Sequence, residues 1–289
     1  MAWHGQPRPG AARRGTWFGK AGRGDARRGK EPGTARHGVA RPGKARQGKE
    51  RGAALNTHNI FPMKTYNIII KGENALLMHH DNIRWESIVA EWQKDPANKG
   101  MSVNGDDRTP AFKWVGYLYE DKGLVCMPSD NLMTMLREGG AKCPTGKRGA
   151  TFKRQTQSGL LINEVAWPIT VPIEPGSSEW MGVAYPDVKT MAQENDFSKQ
   201  EDYARGNGYS LFVKRARVGD KKHVRVRPRF DSWSISGNIT VIDETITKET
   251  LTNIITFAGR FAGLGDWRPS SPKSPGPFGR FSLASIKEV

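Results

Sequence analysis

Along residues 63–289 short apolar runs alternate with polar punctuation, and the spacing within each run predicts its element. Thr65 to Lys71 is rich in β-branched residues and ends at Gly72, which predicts a first strand. Trp85, Ile88, Val89 and Trp92 stand at i, i+3, i+4 and i+7, so they share one side of a helix from about Ile83 to Lys94. Asp95 to Pro110 is polar and rich in Gly, Asn and Asp, which predicts a loop. Lys113 to Tyr119 and Leu124 to Met127 flank Glu120-Asp121-Lys122-Gly123, a hairpin signal with Gly123 where positive φ is needed. Pro128-Ser129-Asp130 opens a second helix capped by Ser129 or Asp130. Leu132, Met133, Met135 and Leu136 form its buried side and Gly139-Gly140 its stop.

The second half repeats strands, helix, strand. Leu160 to Ile162 and Trp167 to Ile173 read as strands, the latter pushed to a sheet edge by Pro168 and Pro172. A long polar connection, Glu174 to Gly208, follows. Tyr209 to Val218 and His223 to Phe230 form a second hairpin around Gly219-Asp220, and Ser232 to Ile242 continues the β pattern. Thr247 caps a third helix with the stripe Leu251, Ile254, Ile255, Ala258 and Phe261, ended by Gly263 and Gly265; a last strand spans about Gly279 to Ile286. The order is compatible with an α+β, ferredoxin-like (RRM/RAMP-like) sheet with inserted β-hairpins, or with a duplicated unit of that kind.

Composition changes this picture at the N-terminus. Residues 1–62 hold 14 Lys and Arg against 3 Asp and Glu, and their glycines recur in a 14-residue unit repeated about three times. With almost no branched aliphatic residue, such a segment cannot offset an ordering cost of about 1–2 kcal/mol per residue, so disorder is expected. One reading is an Arg/Gly-rich arm for phosphates. The abrupt change at Met63 favours the other, a translated tandem repeat with Met63 as the true start and 63–289 as a single α+β domain. A run of about 18 apolar residues and the apolar core of a signal peptide are both missing, and Cys126 and Cys143 are too few for a disulfide framework or a four-thiolate metal site. A cytoplasmic protein without membrane contact is expected.

Charge also picks out candidate chemistry. The formal charge of +16 points to a polyanionic partner. Lys214 to Arg229 contains eight basic residues against Asp220 alone, among them Lys214, Arg215 and Arg217. Arg225, Arg227 and Arg229 alternate with Val224, Val226 and Pro228, so a strand projects all three guanidiniums from one face, about 6.6–7 Å apart and matched to phosphates along one strand. The competing reading is a solvated sheet face whose arginines pair with carboxylates elsewhere. A second basic cluster, Lys142, Lys147, Arg148, Lys153 and Arg154, lies in a loop with Gly146 and Gly149. If the two segments lie on one side they form a continuous groove, with Phe152, Tyr209, Phe212, Phe230 and Trp233 near enough to stack on bases.

Other motifs carry less. Gly146-Lys147 lacks the first glycine and the Ser/Thr of a phosphate-binding loop, and Gly263-Leu264-Gly265 lacks the third glycine of a dinucleotide fingerprint. Leu77-Met78-His79-His80-Asp81 offers at most one histidine and Asp81 to a metal, and Asp106-Asp107 in a polar loop is a weak signal. Asp266, within Gly263-Leu264-Gly265-Asp266-Trp267-Arg268-Pro269, can hold Arg268 or Arg280 in a structural lock. The alternative is a ledge where Arg268 and Arg280 meet phosphate.

Ala75-Leu76-Leu77-Met78-His79, Met127-Pro128-Ser129-Asp130-Asn131, and Gly263 to Pro269 with Gly279-Arg280-Phe281 together resemble a group of uncharacterised proteins of bacteriophages and other bacterial mobile elements. More distantly, the element order is similar to the RAMP superfamily, which forms the RNA-binding backbone of CRISPR effector complexes. RAMP endonucleases use a positioned histidine; His79, His80 and His223 match no such motif, so cleavage is not carried over. The resulting expectation is a cytoplasmic phage or prophage protein in a bacterial host, binding single-stranded or structured DNA or RNA without catalysis, metal or cofactor, as a monomer or homo-oligomer. Its ligand residues would be Arg225, Arg227, Arg229, Lys214, Arg215, Arg217, Lys147, Arg148, Lys153, Arg154, Arg268 and Arg280. The alternatives are a virion or assembly protein and a metal-dependent nuclease acting through His79, His80 or Asp81.

Overall fold

The computed structural model of the chain describes residues 63–289, and the readings of residues 1–62 lie outside the described residues. The chain enters as β1 (Lys64–Gly72), β2 (Leu76–Leu77) and α1 (Ile83–Lys94), then passes a 3₁₀ turn at Lys113–Tyr117 into β3 (Glu120–Asp121), β4 (Leu124–Pro128) and α2 (Ser129–Lys142). There follow α3 (Lys153–Ser158), β5 (Leu160–Leu161), β6 (Ala166–Pro172), β7 (Trp180–Gly182), α4 (Val188–Gln193) and α5 (Phe197–Gly206). A long hairpin, β8 (Ser210–Val218) and β9 (Lys221–Phe230), leads to β10 (Ser234–Val241), α6 (Lys248–Phe257) and β11 (Phe281–Glu288). The class is α+β.

One antiparallel sheet of eight strands runs β11-β1-β10-β6-β4-β3, with β5 added to β10 and β7 to β6. Period-two alternation gives it a single buried face. Tyr66, Ile68 and Ile70 of β1 sit opposite Ile239, Gly237 and Ile235 of β10 and are buried, whereas Asn67–Asn238 and Thr65–Thr240 hydrogen-bond across the other face at 3.1 Å. Gly237 is required because a Cβ there would fall 2.0 Å from the Trp167 indole on the core side. The first and last strands are neighbours in this sheet, so the two halves build one core.

α1 forms over the expected span, started by Asn82, whose side chain accepts from the Trp85 N–H. Trp85 and Val89 are buried and Trp92 half-buried, but Ile88 lies exposed, so the apolar stripe is narrower than its spacing implied. Gly139-Gly140 does not stop α2. The helix runs on to Lys142, and these glycines admit its neighbours: a Cβ on Gly139 would lie 2.6 Å from Ala258 and one on Gly140 2.4 Å from Thr156. Pro128 occupies the cap position, and neither Ser129 nor Asp130 caps it with a side chain. Lys113–Tyr117, expected as strand, winds as a 3₁₀ turn because Phe112, Trp114, Val115 and Gly116 are all buried, which a half-exposed strand does not allow. β6 is internal, not an edge. Its pairing is divided, with β4 on residues 166–168, β10 on Ile169 and Thr170, and β7 on residues 170–172, so Pro168 and Pro172 each stand at the end of a short ladder. The 174–208 stretch, read only as a long polar connection, contains β7, α4 and α5, the two helices capped by Asp187 and Asp196.

A second, three-stranded sheet, β2-β9-β8, stands beside the first and carries the basic hairpin. Val226, Pro228 and Phe230 turn inward, and Tyr209 bridges Phe230 and Trp114 at ring distances of 5.1 and 5.9 Å. Among the described residues no helix is long and apolar enough to cross a membrane.

Candidate functional site

With Val226, Pro228 and Phe230 in the core, Arg225, Arg227 and Arg229 emerge together from the opposite face of β9. Each meets a carboxylate. The loop before the 3₁₀ turn docks along β9: the Asp107 N–H donates to Val224 O at 3.0 Å, and the Val224 N–H to Gly105 O at 2.8 Å. Gly105 allows this approach, having φ of 82° and His223 where a side chain would go. Asp107 is thereby fully buried, and its carboxylate accepts from Lys113 at 3.1 Å and Arg225 at 3.2 Å, with Arg227 at 3.5 Å. Arg227 turns its Nε to Asp266 at 3.0 Å and lies 4.8 Å over the Tyr117 ring; Arg229 pairs with Asp231. Of the two readings of this face, the pairing of its arginines with carboxylates elsewhere is the one observed: Asp107 and Asp266, distant in sequence, and the nearby Asp231 compensate them.

Electrostatics follow from this arrangement. Burial alone would raise the Asp107 pKa, but Lys113, Arg225 and Arg227 outweigh it and hold the carboxyl below its usual value. Burial, together with the Asp107 charge, pushes the Tyr117 hydroxyl well above the ordinary phenol range. His79, edge-on to Tyr117 with ring centroids 5.0 Å apart, has its pKa lowered by the crowding around it and by the Arg227 charge.

The outer part of the hairpin differs. Lys214, Arg215, Lys221 and Lys222 are exposed, and Arg217, also exposed, meets the fully exposed Asp220 at 3.5 Å and donates to the Gly219 carbonyl at 3.1 Å. Between this part and the loop after Gly265 lies an open cavity of about 660 Å³. Its lining includes six basic residues, Lys214, Arg215, Arg217, Arg225, Arg227 and Lys273, with Asp266 as the one carboxylate. Leu77, Phe212 and Trp267 give it an apolar floor. A cavity of about 420 Å³ adjoins it through Arg225 and Arg227 and reaches His79, His80, Lys113 and Tyr117. A smaller one of about 160 Å³ shares His79 and Asp266 and is closed by Gly263–Gly265, Asn131 and Thr134.

The glycine-rich C-terminal stretch locks these walls together. Gly263, Gly265 and Gly279 have φ of 72°, 75° and 73°, and a Cβ on Gly265 would fall 2.3 Å from Leu77 O. The Asp266 N–H bonds Leu77 O at 2.8 Å, and the Leu264 N–H bonds Gly279 O at 2.9 Å. Asp266 holds Arg227, not Arg268 or Arg280. Arg268 is taken by Glu138 at 3.4 Å and by Ser270, and Arg280 donates to the Arg260 carbonyl, so the pair does not form a phosphate ledge.

The second basic cluster is not brought to this groove. Lys147 and Arg148 sit in a turn closed by the Thr145 N–H to Ala150 O bond at 3.0 Å, and Lys153 and Arg154 begin α3, which packs on α2. This is the C-terminal end of α2, whereas Asn131 and Thr134, which line the 160 Å³ cavity beside the groove, lie toward its N-terminal end, roughly 12–17 Å from Lys142 along the helix. Of the aromatic candidates, Tyr209, Phe230 and Trp233 are buried and Phe152 packs on the core. Phe212 alone borders the groove. Sequence reasoning missed Trp267 as part of this face and Asp107 as its organiser. The only signal for Asp107 was an acidic pair in a loop otherwise poor in acids. Among the described residues no three His, Cys, Asp or Glu side chains gather as a metal site; His80 stacks on Tyr119 at 4.5 Å. No family model and no curated protein matches this chain.

Proposed function

We propose that this chain is a phage or mobile-element protein that binds the phosphate backbone of single-stranded nucleic acid, without catalysing a reaction on it. The observation that carries the reading is the 660 Å³ groove, where Asp107 and Asp266 already hold Arg225 and Arg227, while Lys214, Arg215, Arg217 and Lys273 have no buried carboxylate partner among the described residues. Such a surplus in a concave, partly apolar channel is the footprint of a polyanion with stackable groups. Asp107 and Asp266 fix the inner wall, and Lys214, Arg215, Arg217 and Lys273 line the outer one.

The finer fold reading goes with it. β1, α2, β6, β10, α6 and β11 follow the order of a ferredoxin-like unit, and the spatial order β11-β1-β10-β6 is fourth, first, third, second. On this reading β8–β9 is an insertion between the second and third core strands, a RAMP-like sheet extended by a basic hairpin.

The test is a fluorescence-anisotropy titration of the full chain with single- and double-stranded DNA and RNA oligomers at several salt concentrations. The expected result is tighter binding of single strands, with log K falling linearly against log salt. Affinity that does not depend on salt, or defined oligomers forming equally well without nucleic acid, would favour an assembly role instead.

A further inference from the structure

Within the groove, Trp267 has an unusual backbone. Its φ is +49°, a left-handed conformation rare for a bulky residue. The Asp266 carboxylate accepts the Trp267 N–H at 2.8 Å and so holds this turn in place. Behind the ring stands Gly276, where any Cβ would fall 2.3 Å from the indole, and Phe278 packs at 5.5 Å between centroids. The indole N–H has no hydrogen-bond partner among the described residues, so packing holds the ring. Over the ring, 3.5 Å from its centroid, lies the Lys214 ammonium, carried on the exposed β8 strand. A core tryptophan needs neither a strained backbone nor an exposed cation as its cover.

We propose that Trp267 is a stacking platform for one unpaired nucleobase, and that Lys214 covers the ring when no strand is bound and moves to a phosphate when the base arrives. The inference rests on the nucleic-acid reading above and names the part of the ligand that this wall recognises. Charge complementarity selects the occupant: a base stacked here leaves its flanking phosphates beside Arg215, Arg217 and Lys273, which line the same cavity. A cation over an aromatic face at a solvent-exposed site is held only weakly, so the exchange faces a small barrier. Phe212, 5.5 Å from Phe278, extends the apolar floor toward a second base.

The experiment compares the full chain's affinity for thymidine and uridine oligomers with its affinity for an abasic oligomer of the same length. For the wild type, base-bearing strands should bind about tenfold more tightly than the abasic strand, within what one base–aromatic stack contributes. Trp267→Leu should lose about that factor in the ratio of base-bearing to abasic affinity. Trp267→Tyr, which keeps a ring, should retain most of the preference. Lys214→Gln should lower the salt slope by about one unit while the preference for bases stays. If wild type and Trp267→Leu show the same base preference, the platform is overturned and backbone binding stands. Equal losses for Trp267→Tyr and Trp267→Leu would likewise overturn it, since the loop's shape and not the ring would then matter. If the wild type binds neither oligomer, both readings fall together.

Discussion

Arg227 and Arg217 belong to one hairpin, yet Arg227 keeps 13% of its side chain in solvent between Asp107 and Asp266, while Arg217 keeps 75% beside a fully exposed aspartate. The inner cations have exchanged water for carboxylates and act as structure; the outer ones keep their water and stay available to a ligand. A row of arginines is thus divided by what the rest of the chain brings against it, since a buried charge persists only when paired. Counting basic residues in a segment measures the sum of both uses.

The contrast is broken most severely at its inner end. Asp107→Asn leaves Lys113, Arg225 and Arg227 facing each other around a neutral amide. A loss of about 3 kcal/mol in denaturant unfolding is expected, near the lower limit for breaking a buried pair because the three cations remain partly hydrated. The pH dependence follows from the same group. A carboxyl whose folded pKa is depressed contributes stability above its unfolded value near pH 4 and loses it as pH falls through the lower folded value, below 3.8. Wild type should therefore lose stability in that acid window, and the Asp107→Asn protein should show a flatter profile there.

Gly265→Ala attacks the hinge between the two regions, adding both a positive-φ penalty and a Cβ 2.3 Å from Leu77 O. About 1–3 kcal/mol of stability should be lost, again by denaturant unfolding, with weakened nucleic-acid binding because Asp266 and Trp267 move with the loop. At the outer end, replacing Arg217 and Lys273 together by glutamine should leave the unfolding midpoint unchanged and reduce the salt slope of binding by about two units. The smallest effect is expected from replacing Lys147, Arg148, Lys153 and Arg154 by alanine. Single-strand affinity for the groove should barely change; a loss as large as that at the outer hairpin would show that the ligand extends along α2.

Much of the fold was legible because local patterns and tertiary environment agree. The helix from Ile83, the Thr247 cap, the long hairpin and the last strand stand within a few residues of their expected bounds. Disagreement arose where burial on every side replaced alternation, as at Trp114 and Val115, or where a glycine read as punctuation serves a helix crossing, as at Gly139. The short helices α4 and α5 escaped because their stripes hold few buried groups, Met191 in one and Gln200 with Ala204 in the other. Of the candidate site, the shared face of Arg225, Arg227 and Arg229 was legible from strand periodicity alone.

The sequence by itself determined that the described part is α+β, that three arginines leave one strand on one side, and that the glycines near the C-terminus make tight turns. Those properties depend on periods of two or 3.6 residues and on local backbone freedom, which act within a few neighbours. Only the tertiary structure decided which cations are neutralised, because Asp107 and Asp266 meet Arg227 across 120 and 39 residues of chain, and a Coulomb partner is set by distance in space. It also placed Trp267 beneath Lys214, through packing that no local pattern encodes.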